Sequence, residues 1–356
     1  MINADIIADS ITPHGHRCTS FVLTMPRIVL AEFNTHRMIS RNSASSRAVP
    51  FDKMVERVQE NPFIPIRWMK DHSGMQGDEY FTDEDQVKPT VYPVSEEGKN
   101  HYKVSDLLKA NWLKARDQAV YFAKNMSELG LTKQFVNRLL EPFMWHTVIA
   151  TATEWENFFA LRAHEAAEIH IQKLAYMMLE EYNASEPKHL KPGQWHTPFG
   201  DRFDEARIDK LGFVKDNSPF YTGEHGKPDA DEYIAEIRAR KVAIATARCA
   251  RVSYINYEGN DDYEADIKLH DRLAKLGHWS PFEHCARAMT PEEAESSIRH
   301  ELSDGEDSFT NHHGTDVVET TAWSGNFRGF IQYRKMFEGE NREDPRVELK
   351  RPSTIF

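Results

Sequence analysis

The stretch R-C-T-S-F-V-L-T-M-P-R-I-V-L-A-E-F, residues 17–33, leads into T-H-R-M-I-S-R-N-S-A-S-S-R at residues 35–47. The apolar run at residues 20–24 predicts a β-strand. Met25-Pro26 then opens a short helix, because proline lacks the N–H that would be unpaired in a first helical turn. The polar stretch that follows predicts a loop. The sequence therefore predicts a strand, a short helix and an Arg- and Ser-rich loop, in this order.

The polar loop has the composition of an anion site. It holds Arg37, Arg47 and several serine hydroxyls, and a guanidinium group offers forked donors that match a phosphate. A solvated polar loop is the alternative, and composition by itself leaves both interpretations open. Arg162 is a second candidate, because an arginine beside an apolar helical stripe usually has a partner.

Apolar spacing of three and four residues predicts long helices with few strands. The segment rich in acidic residues, Gly and Pro at 70–103 predicts an exposed insertion or lid. We expect helices over 105–129, 133–140, 152–183, 234–247 and 263–276, and a short strand at 251–254.

The chain has 356 residues, which exceeds the size of about 250–300 residues where single cores usually stop growing. The Pro-, Gly- and Asp-rich residues 191–234 predict a linker. We therefore expect a first half at 1–190 and a second half at 235–356.

Composition excludes several classes of protein. Apolar residues make up 40%, charged residues 28%, and the net charge is −12, which argues against a clamp on duplex nucleic acid. The sequence shows neither a secretory signal nor an apolar stretch of membrane-spanning length, so we expect a cytoplasmic protein. Cys18, Cys249 and Cys285 are too few and too widely spaced for a disulfide framework or a zinc knuckle, and we expect them to be reduced and buried.

Metal and nucleotide motifs are weak. H-E-A-A-E at 164–168 departs from the zinc motif H-E-x-x-H at its second ligand, so a polar helix face is favoured and no metal is expected. His270-Asp271 lacks a second His/Asp set. No P-loop or G-x-G-x-x-G follows a strand.

The polar loop resembles the signature of the flavin-dependent thymidylate synthases, R-H-R-x-x-S-x-N-E-x-S-x-R. Thr35 and Ser43 replace its first Arg and its Glu, and Glu32 stands where a nucleotide-contacting Gln is usual. The positions that match are His36, Arg37, Ser40, Asn42, Ser45 and Arg47.

Further blocks are similar to the same family. N-R-L-L-E-P-F around Arg138 and T-E-W-E-N-F-F-A-L-R at 153–162 resemble its C-terminal region. A-R-V-S-Y at 250–254 and G-H-W-S-P-F-E-H at 277–284 resemble blocks that precede the signature in the family but follow it here. This order suggests a permuted or partly duplicated chain.

The resemblance implies an α+β fold, a mixed or antiparallel sheet packed with long helices, with two pseudo-equivalent halves. It implies conversion of dUMP to dTMP with methylenetetrahydrofolate, FAD and NADPH, and a homo-oligomer. Arg162 would be catalytic, and the base would be activated electrostatically, since no cysteine has the P-C-x-x-Q setting of conventional thymidylate synthases. Nucleotide contacts are expected from Glu32, Ser43, Ala44, Ser45, Ser46, Arg47, Arg138 and Arg162, and flavin contacts from His36, Arg37, Asn157, Ser253 and His284.

Alternatives stay open. A relative could methylate or hydroxymethylate dUMP or dCMP, or bind flavin and nucleotide without catalysis. A metal-dependent nucleotide hydrolase using His164, His270 or the pair His312-His313 is a third possibility. Arg334 or Gln332, from the second half, could take over the ligand binding of the signature residues that this chain lacks.

Overall fold

The computed structural model describes residues 1–74, 77–87, 102–211, 230–252, 262–295, 326–337 and 340, with only the backbone described at 230–232. The strands are β1 (Asn3–Ile11), β2 (Arg17–Pro26), β3 (Ser40–Ser43), β4 (Gln86–Val87), β5 (Tyr102–Lys103), β6 (Trp145–Ala152), β7 (Lys188–His189), β8 (Trp195–His196), β9 (Ala286–Ala288) and β10 (Phe330–Gln332). The helices are α1 (Leu30–Phe33), α2 (Phe51–Glu60), α3 (Val104–Glu128), α4 (Lys133–Val136), α5 (Glu156–Arg162), α6 (Ile169–Ala184), α7 (Glu205–Asp209), α8 (Ala230–Arg251) and α9 (Tyr263–Leu276). Short 3-10 turns lie at Arg27–Val29, Asn137–Phe143, Gly200–Arg202, Ser280–Glu283 and Tyr333–Met336.

A five-stranded mixed sheet in the order β3-β6-β2-β1-β7 forms the centre of the molecule. Its pairs are antiparallel except for β1 with β7, which run parallel. The long strands β2 and β6 are buried on both faces over most of their length, and each has apolar residues on both faces. The fold is a mixed sheet packed with helices, and the predicted α+β class is confirmed.

Helices cover both faces of this sheet. On one face α5 and α6 pack against alternate residues of β2 and β6, in a core that includes Phe21, Leu23, Val148 and Trp155. On the opposite face Ile149 belongs to a separate cluster with residues of β1, β2 and α8. Successive strand side chains point to opposite faces, so β6 is shared between two cores.

The second half folds against the first. Helices α8 and α9 pack together, and the strands β10-β9-β8 form a small antiparallel sheet. Its core contains Phe282, Cys285 and Tyr333. Strand β8 comes from the predicted linker and pairs with β9, so part of that segment belongs structurally to the second half. The domain boundaries and the equivalence of the two halves stay predictions.

The predicted helix over 152–183 is confirmed over most of its length, but it is interrupted and it begins later than predicted. Residues 145–152 form β6, because the β-branched run Thr147-Val148-Ile149 favours a strand and pairs with β2. The remainder is split into α5 and α6. Glu168 caps the start of α6, its carboxylate accepting from the backbone N–H groups of His170 and Ile171, which ends any continuity with α5.

Two of the other predicted helices are confirmed. The helix at 105–129 is α3, and the helix at 263–276 is α9, which ends at Gly277 in the left-handed conformation. The predicted strand at 251–254 is wrong at Arg251, which is the last residue of α8, and residues 253–254 lie outside the described part. The segment 70–103 contains the antiparallel strand pair β4–β5 among its described residues.

The three cysteines are free and buried, as predicted. Burial raises the pKa of the Cys285 thiol to about 12 and the pKa values of Cys18 and Cys249 well above their usual range. A thiolate is the reactive form of cysteine, so none of these thiols is suited to nucleophilic catalysis. Across the described residues, every helix is too short or too polar to cross a membrane.

Candidate functional site

The predicted polar loop at 35–47 is wrong in its middle, where Ser40–Ser43 form the edge strand β3, which pairs with β6 and positions the residues on either side. Ser40 lies opposite Thr151 and Asn42 opposite Ile149, and the N–H of Ala44 extends the ladder to the carbonyl of Thr147 at 2.8 Å. The signature residues are therefore spread along β3, with residues 35–37 at one end and residues 44–47 at the other.

Arg162, the last residue of α5, is the centre of a polar group at the first end. Its Nε donates to Nε2 of His36 at 3.0 Å, and its Nη2 donates to the hydroxyl of Thr35 at 3.3 Å. Its Nη1 lies 3.9 Å from Oε2 of Glu32. The side chain is 22% exposed, so the guanidinium group is oriented by three neighbours and still reaches solvent. The structure thus brings together three predicted residues, Glu32, His36 and Arg162, with Thr35. We call these four residues the arginine group.

His36 acts as an acceptor in this arrangement. Burial, followed by the positive charges of Arg162 and Arg41, lowers its pKa. Because Arg162 donates to Nε2, the proton of the neutral ring belongs on Nδ1. The ring also packs edge-on against Phe158 of α5, with centroids 4.9 Å apart. The imidazole therefore fixes the direction of the Arg162 guanidinium plane.

Two exposed residues with side-chain donors adjoin members or contacts of the arginine group in the sequence. Arg37 and Asn157 are both exposed, and Asn157 precedes Phe158, which contacts His36. A guanidinium and an amide beside a half-buried imidazole suit the carbonyl and ring-nitrogen acceptors of an isoalloxazine ring. The donor set at this rim fits a flavin. Ser253, also predicted to contact flavin, lies outside the described residues.

Arg41 is a residue that sequence reasoning missed. It occupies an unspecified position of the signature, yet its Nη1 donates to the carbonyl of His36 at 2.9 Å and to that of Phe33 at 3.4 Å. Burial and the neighbouring charge of Arg37 lower its pKa. It holds the turn between α1 and β3 in place. A charged residue inside an edge strand is the only signal that the sequence offers for this role.

A second polar group lies at the other end of β3. The hydroxyl of Ser46 donates to Glu141 at 2.8 Å, and Arg27 pairs with the same carboxylate at 3.4 Å. The side-chain amide of Asn137 donates to the carbonyl of Ser46 at 2.6 Å. Ser45, Arg47 and Arg138 lie beside these residues in sequence, and both arginines are exposed. We call Ser45, Ser46, Arg47 and Arg138 the Ser46 cluster.

The fold separates the two groups. The arginine group lies at the end of β3 where Ser40 pairs with Thr151. The Ser46 cluster lies at the other end, where Ala44 bonds to Thr147, which is four residues from Thr151 along β6. Contacts within the described chain link Arg162 with Glu32 and His36 but not with Arg47 or Arg138. The cavity of ≈ 290 Å³ between α2 and α3, lined by Asp52, Val55, Glu56, Gln59, Glu60 and Lys124, is acidic and belongs to neither group.

Ser40 and Asn42 join the loop to the second half. The amide of Asn42 donates to the carbonyl of Cys249 at 2.6 Å and accepts from the hydroxyl of Ser280 at 3.2 Å. Ser40 accepts from the amide of Gln332 at 2.9 Å. These two matching signature positions stabilise the fold in this chain.

The prediction that Gln332 or Arg334 takes over ligand binding from absent signature residues receives no support. Gln332 is buried and donates to Ser40 and to the carbonyl of Glu283. Arg334 is paired with Glu283 at 2.5 Å and Glu340 at 2.7 Å. Both side chains are committed to interactions within the fold: Arg334 within the second half, and Gln332 also between the two halves.

His284 belongs to a buried polar chain beneath β6. The chain runs through hydrogen bonds from Ser10 to His196, Ser20, Thr151 and His284. Desolvation lowers the pKa of His284 to about 3 and that of His196 to about 4. His284 is fully buried, so its predicted direct contact with flavin has no support in this geometry.

The metal alternative has no geometric support in the described residues. Within them, no three His, Cys, Asp or Glu side chains are grouped to hold an ion. His164 accepts from the N–H of Ala166, and His270 bonds to Asp271 and to the hydroxyl of Tyr333. His312 and His313 lie outside the described part.

A comparison with protein families identifies the chain. The family described as thymidylate synthase complementing protein matches residues 9–188 of the 356, which is just over half of the chain and includes both polar groups. A comparison with curated proteins gave no match. The chain therefore belongs to the thymidylate synthase complementing protein family, the flavin-dependent thymidylate synthases, and is an enzyme of the methyltransferase type.

Proposed function

We propose that this chain methylates the C5 position of a pyrimidine deoxynucleotide, converting dUMP to dTMP with methylenetetrahydrofolate as the carbon donor. FAD, when bound in its reduced form, supplies the hydride that completes the methyl group, and NADPH restores the reduced flavin. The C5 proton of the base is lost as the new carbon–carbon bond forms. The observation on which the proposal rests is the orientation of Arg162 by His36; Arg37 and Asn157, which follow His36 and precede Phe158 in the sequence, are exposed donors.

Arg162 would stabilise negative charge on the pyrimidine ring. A preorganised donor next to developing charge is worth more than a mobile one, since it needs no reorganisation during the reaction. The hydrogen bond to neutral His36 supplies that preorganisation. Electrostatic activation of this kind removes the need for an enzyme nucleophile, in keeping with the three inaccessible thiols.

The Ser46 cluster would bind the 5′-phosphate of the nucleotide. Arg47 and Arg138 are exposed cations that follow Ser46 and Asn137 in the sequence, and Asn137 donates to the carbonyl of Ser46; a phosphate prefers forked charged donors of this kind. Ala44 and Ser46, also predicted to bind nucleotide, use their N–H and hydroxyl on Thr147 and Glu141. We therefore assign the main phosphate contacts to Arg47, Arg138 and Ser45.

A second copy of the chain would complete the site. The arginine group and the Ser46 cluster lie at opposite ends of β3, so one copy of the chain would supply Arg162 and another would supply Arg47 and Arg138. Large apolar side chains at the end of α3 and in α4 support such an assembly: Tyr121 is 57% exposed, Phe122 51%, Leu129 88% and Phe135 62%. Exposed apolar patches of this kind mark interaction surfaces.

The test is spectroscopic and chemical. Purified protein should be yellow with bound FAD, and it should release tritium from 5-tritiated dUMP when methylenetetrahydrofolate and NADPH are supplied. A flavin-containing protein that releases no tritium from any pyrimidine deoxynucleotide would indicate a binding protein without catalysis. A colourless protein that takes up no FAD would refute the proposal.

A further inference from the structure

A carboxylate of the chain itself accepts from donors at the Ser46 cluster. The hydroxyl of Ser46 donates to Oε1 of Glu141 at 2.8 Å, and Nη2 of Arg27 lies 3.4 Å from Oε2 of the same carboxylate. Both partners of this ion pair reach solvent, since 26% of the Arg27 side chain and 20% of the Glu141 side chain are exposed. A hydroxyl and a guanidinium are also donors that bind a phosphate. The carboxylate of Glu141 and a phosphate would therefore use the same partners.

The turn that carries Ser46 is held in place without the use of its own N–H groups. The N–H of Ala48 donates to the carbonyl of Ser45 at 3.0 Å, and the side-chain amide of Asn137 donates to the carbonyl of Ser46 at 2.6 Å. Within the described residues, the N–H groups of Ser45, Ser46 and Arg47 donate to no protein acceptor. Successive N–H groups in a turn form a concave site for an anion. The turn therefore retains donors for an anionic ligand.

Glu141 opposes the binding of a phosphate at this turn for two reasons. Its negative charge repels the negative charge of a phosphate. It also accepts the single proton that the Ser46 hydroxyl can donate, so this hydroxyl cannot donate to the carboxylate and to a phosphate at once. Arg27 neutralises the carboxylate only in part, because 3.4 Å exceeds the usual length of a charge-assisted hydrogen bond. A phosphate that takes the Ser46 hydroxyl must displace Glu141.

We propose that Glu141 is an internal competitor of the nucleotide 5′-phosphate, and that nucleotide binding transfers Ser46 and Arg27 from the carboxylate to the phosphate. The inference rests on the proposed function, because it requires the 5′-phosphate to lie at the Ser46 cluster. It adds Arg27 to the residues that bind the phosphate and gives Glu141 an effect of the opposite sign. No covalent bond changes in this exchange, in which a hydroxyl and a guanidinium move from one oxyanion to another.

The experiment measures the affinity of the FAD-loaded protein for dUMP, inorganic phosphate and deoxyuridine by calorimetry. Glu141→Gln keeps an acceptor for the Ser46 hydroxyl but removes the negative charge. We expect it to tighten the binding of dUMP and of phosphate about fivefold, the difference between a hydrogen bond to a charged group and one to a neutral group. Deoxyuridine, which has no phosphate, should bind equally well to the variant and the wild type. Glu180→Gln, at an exposed position of α6, should bind all three ligands as the wild type does.

Arg27 is tested in the Glu141→Gln background, where it has no carboxylate to neutralise. If Arg27 binds the phosphate, the added Arg27→Gln should weaken the binding of dUMP and of phosphate about tenfold, the loss expected for one hydrogen bond to a charged group. The affinity for deoxyuridine should stay the same. If the added substitution leaves phosphate binding unaltered, Arg27 serves only Glu141 and its assignment to the phosphate is wrong.

The outcomes separate this inference from the proposed function. If Glu141→Gln binds dUMP no more tightly than the wild type does, Glu141 does not compete with the phosphate, and the inference is wrong while the proposed methylation stands. If the wild-type protein binds neither FAD nor dUMP, the proposed function fails and the inference fails with it. Circular dichroism shows whether each variant is folded, and the ratio of the affinities for dUMP and deoxyuridine does not depend on the amount of folded protein.

Discussion

Arg162 donates from Nε to Nε2 of His36 across 3.0 Å, a contact between residues 126 positions apart that joins α5 to the polar loop. The hydrogen bond requires a neutral His36 and sets the plane of the guanidinium group. It turns two separate motif residues into one oriented donor, on which the proposed chemistry depends.

Removing the Arg162 guanidinium should abolish turnover and leave flavin bound. We expect Arg162→Ala to reduce tritium release by about 100-fold or more, the usual loss for a donor that stabilises developing charge. Flavin content should stay near wild type, because Arg37 and Asn157 remain. Arg162→Lys keeps the charge without the fork and should recover only part of the rate. Full activity in Arg162→Ala would exclude its catalytic role.

Apolar residues at the end of α3 and in α4 should control assembly. Phe122→Glu and Phe135→Glu place a charge in the exposed patch, so we expect them to convert an oligomer to monomers, as measured by light scattering after size-exclusion chromatography. Turnover should fall with the loss of the oligomer. Leu276→Glu, a 57% exposed apolar position at the end of α9, is the matched control. A wild-type protein that is monomeric and active would contradict the shared site.

Stability should fall as the pH drops below the usual histidine pKa. The pKa values of His196 and His284 are lowered by burial to about 4 and about 3, whereas in the unfolded chain both titrate near 6.5. Between these values the unfolded state binds more protons, so the free energy of unfolding rises with pH through this window and is lost on acidification.

Thermal unfolding followed between about pH 7 and pH 4.5 tests this dependence. His284→Gln should flatten the pH dependence of Tm, because one buried titrating group is removed. His278→Gln, in the same segment but exposed, should leave the slope as in the wild type. Equal slopes in the wild type and His284→Gln would show that His284 is already protonated or accessible.

Asn42 should matter more for stability than for ligand binding. Asn42→Ala removes the bonds to Cys249 and Ser280 and leaves a buried carbonyl unpaired, a loss of about 1–3 kcal/mol. Urea denaturation measures the change, and Asn183→Ala, at an exposed position of α6, serves as the control. The KM for nucleotide should be little altered in the folded fraction. A large KM effect without loss of stability would place Asn42 in the binding site instead.

The residues of the candidate site could be predicted from the sequence, but their grouping could not. The motif positions identified Glu32, His36 and Arg162, and the fold brings these three into contact at one end of β3. The motifs also identified Arg47 and Arg138, which lie at the other end. Contacts such as Arg162 with His36 depend on chain segments far apart in sequence, and residue spacing holds no information about them.

Strand β6 shows why part of the fold was missed. Ile149 belongs to one core, whereas Val148 and Ala150 belong to another, so apolar residues lie on both faces of the strand and the alternation of polar and apolar residues by which strands are recognised is incomplete. Helices α3 and α9 were predictable because each has one apolar face, and α9 also has an ending at Gly277.

The sequence by itself determined the family, the balance of apolar and charged residues, the buried thiols and the set of candidate arginines, since these depend on local composition and spacing. Only the tertiary structure decided that Glu32 lies beside Arg162, that Ser40 and Asn42 bind the second half, and that His284 is enclosed beneath β6. Those facts follow from the pairing of β3 with β6 and from the packing of α8 across the sheet. These contacts join segments that are far apart in the sequence, so they exist only once the whole chain is folded.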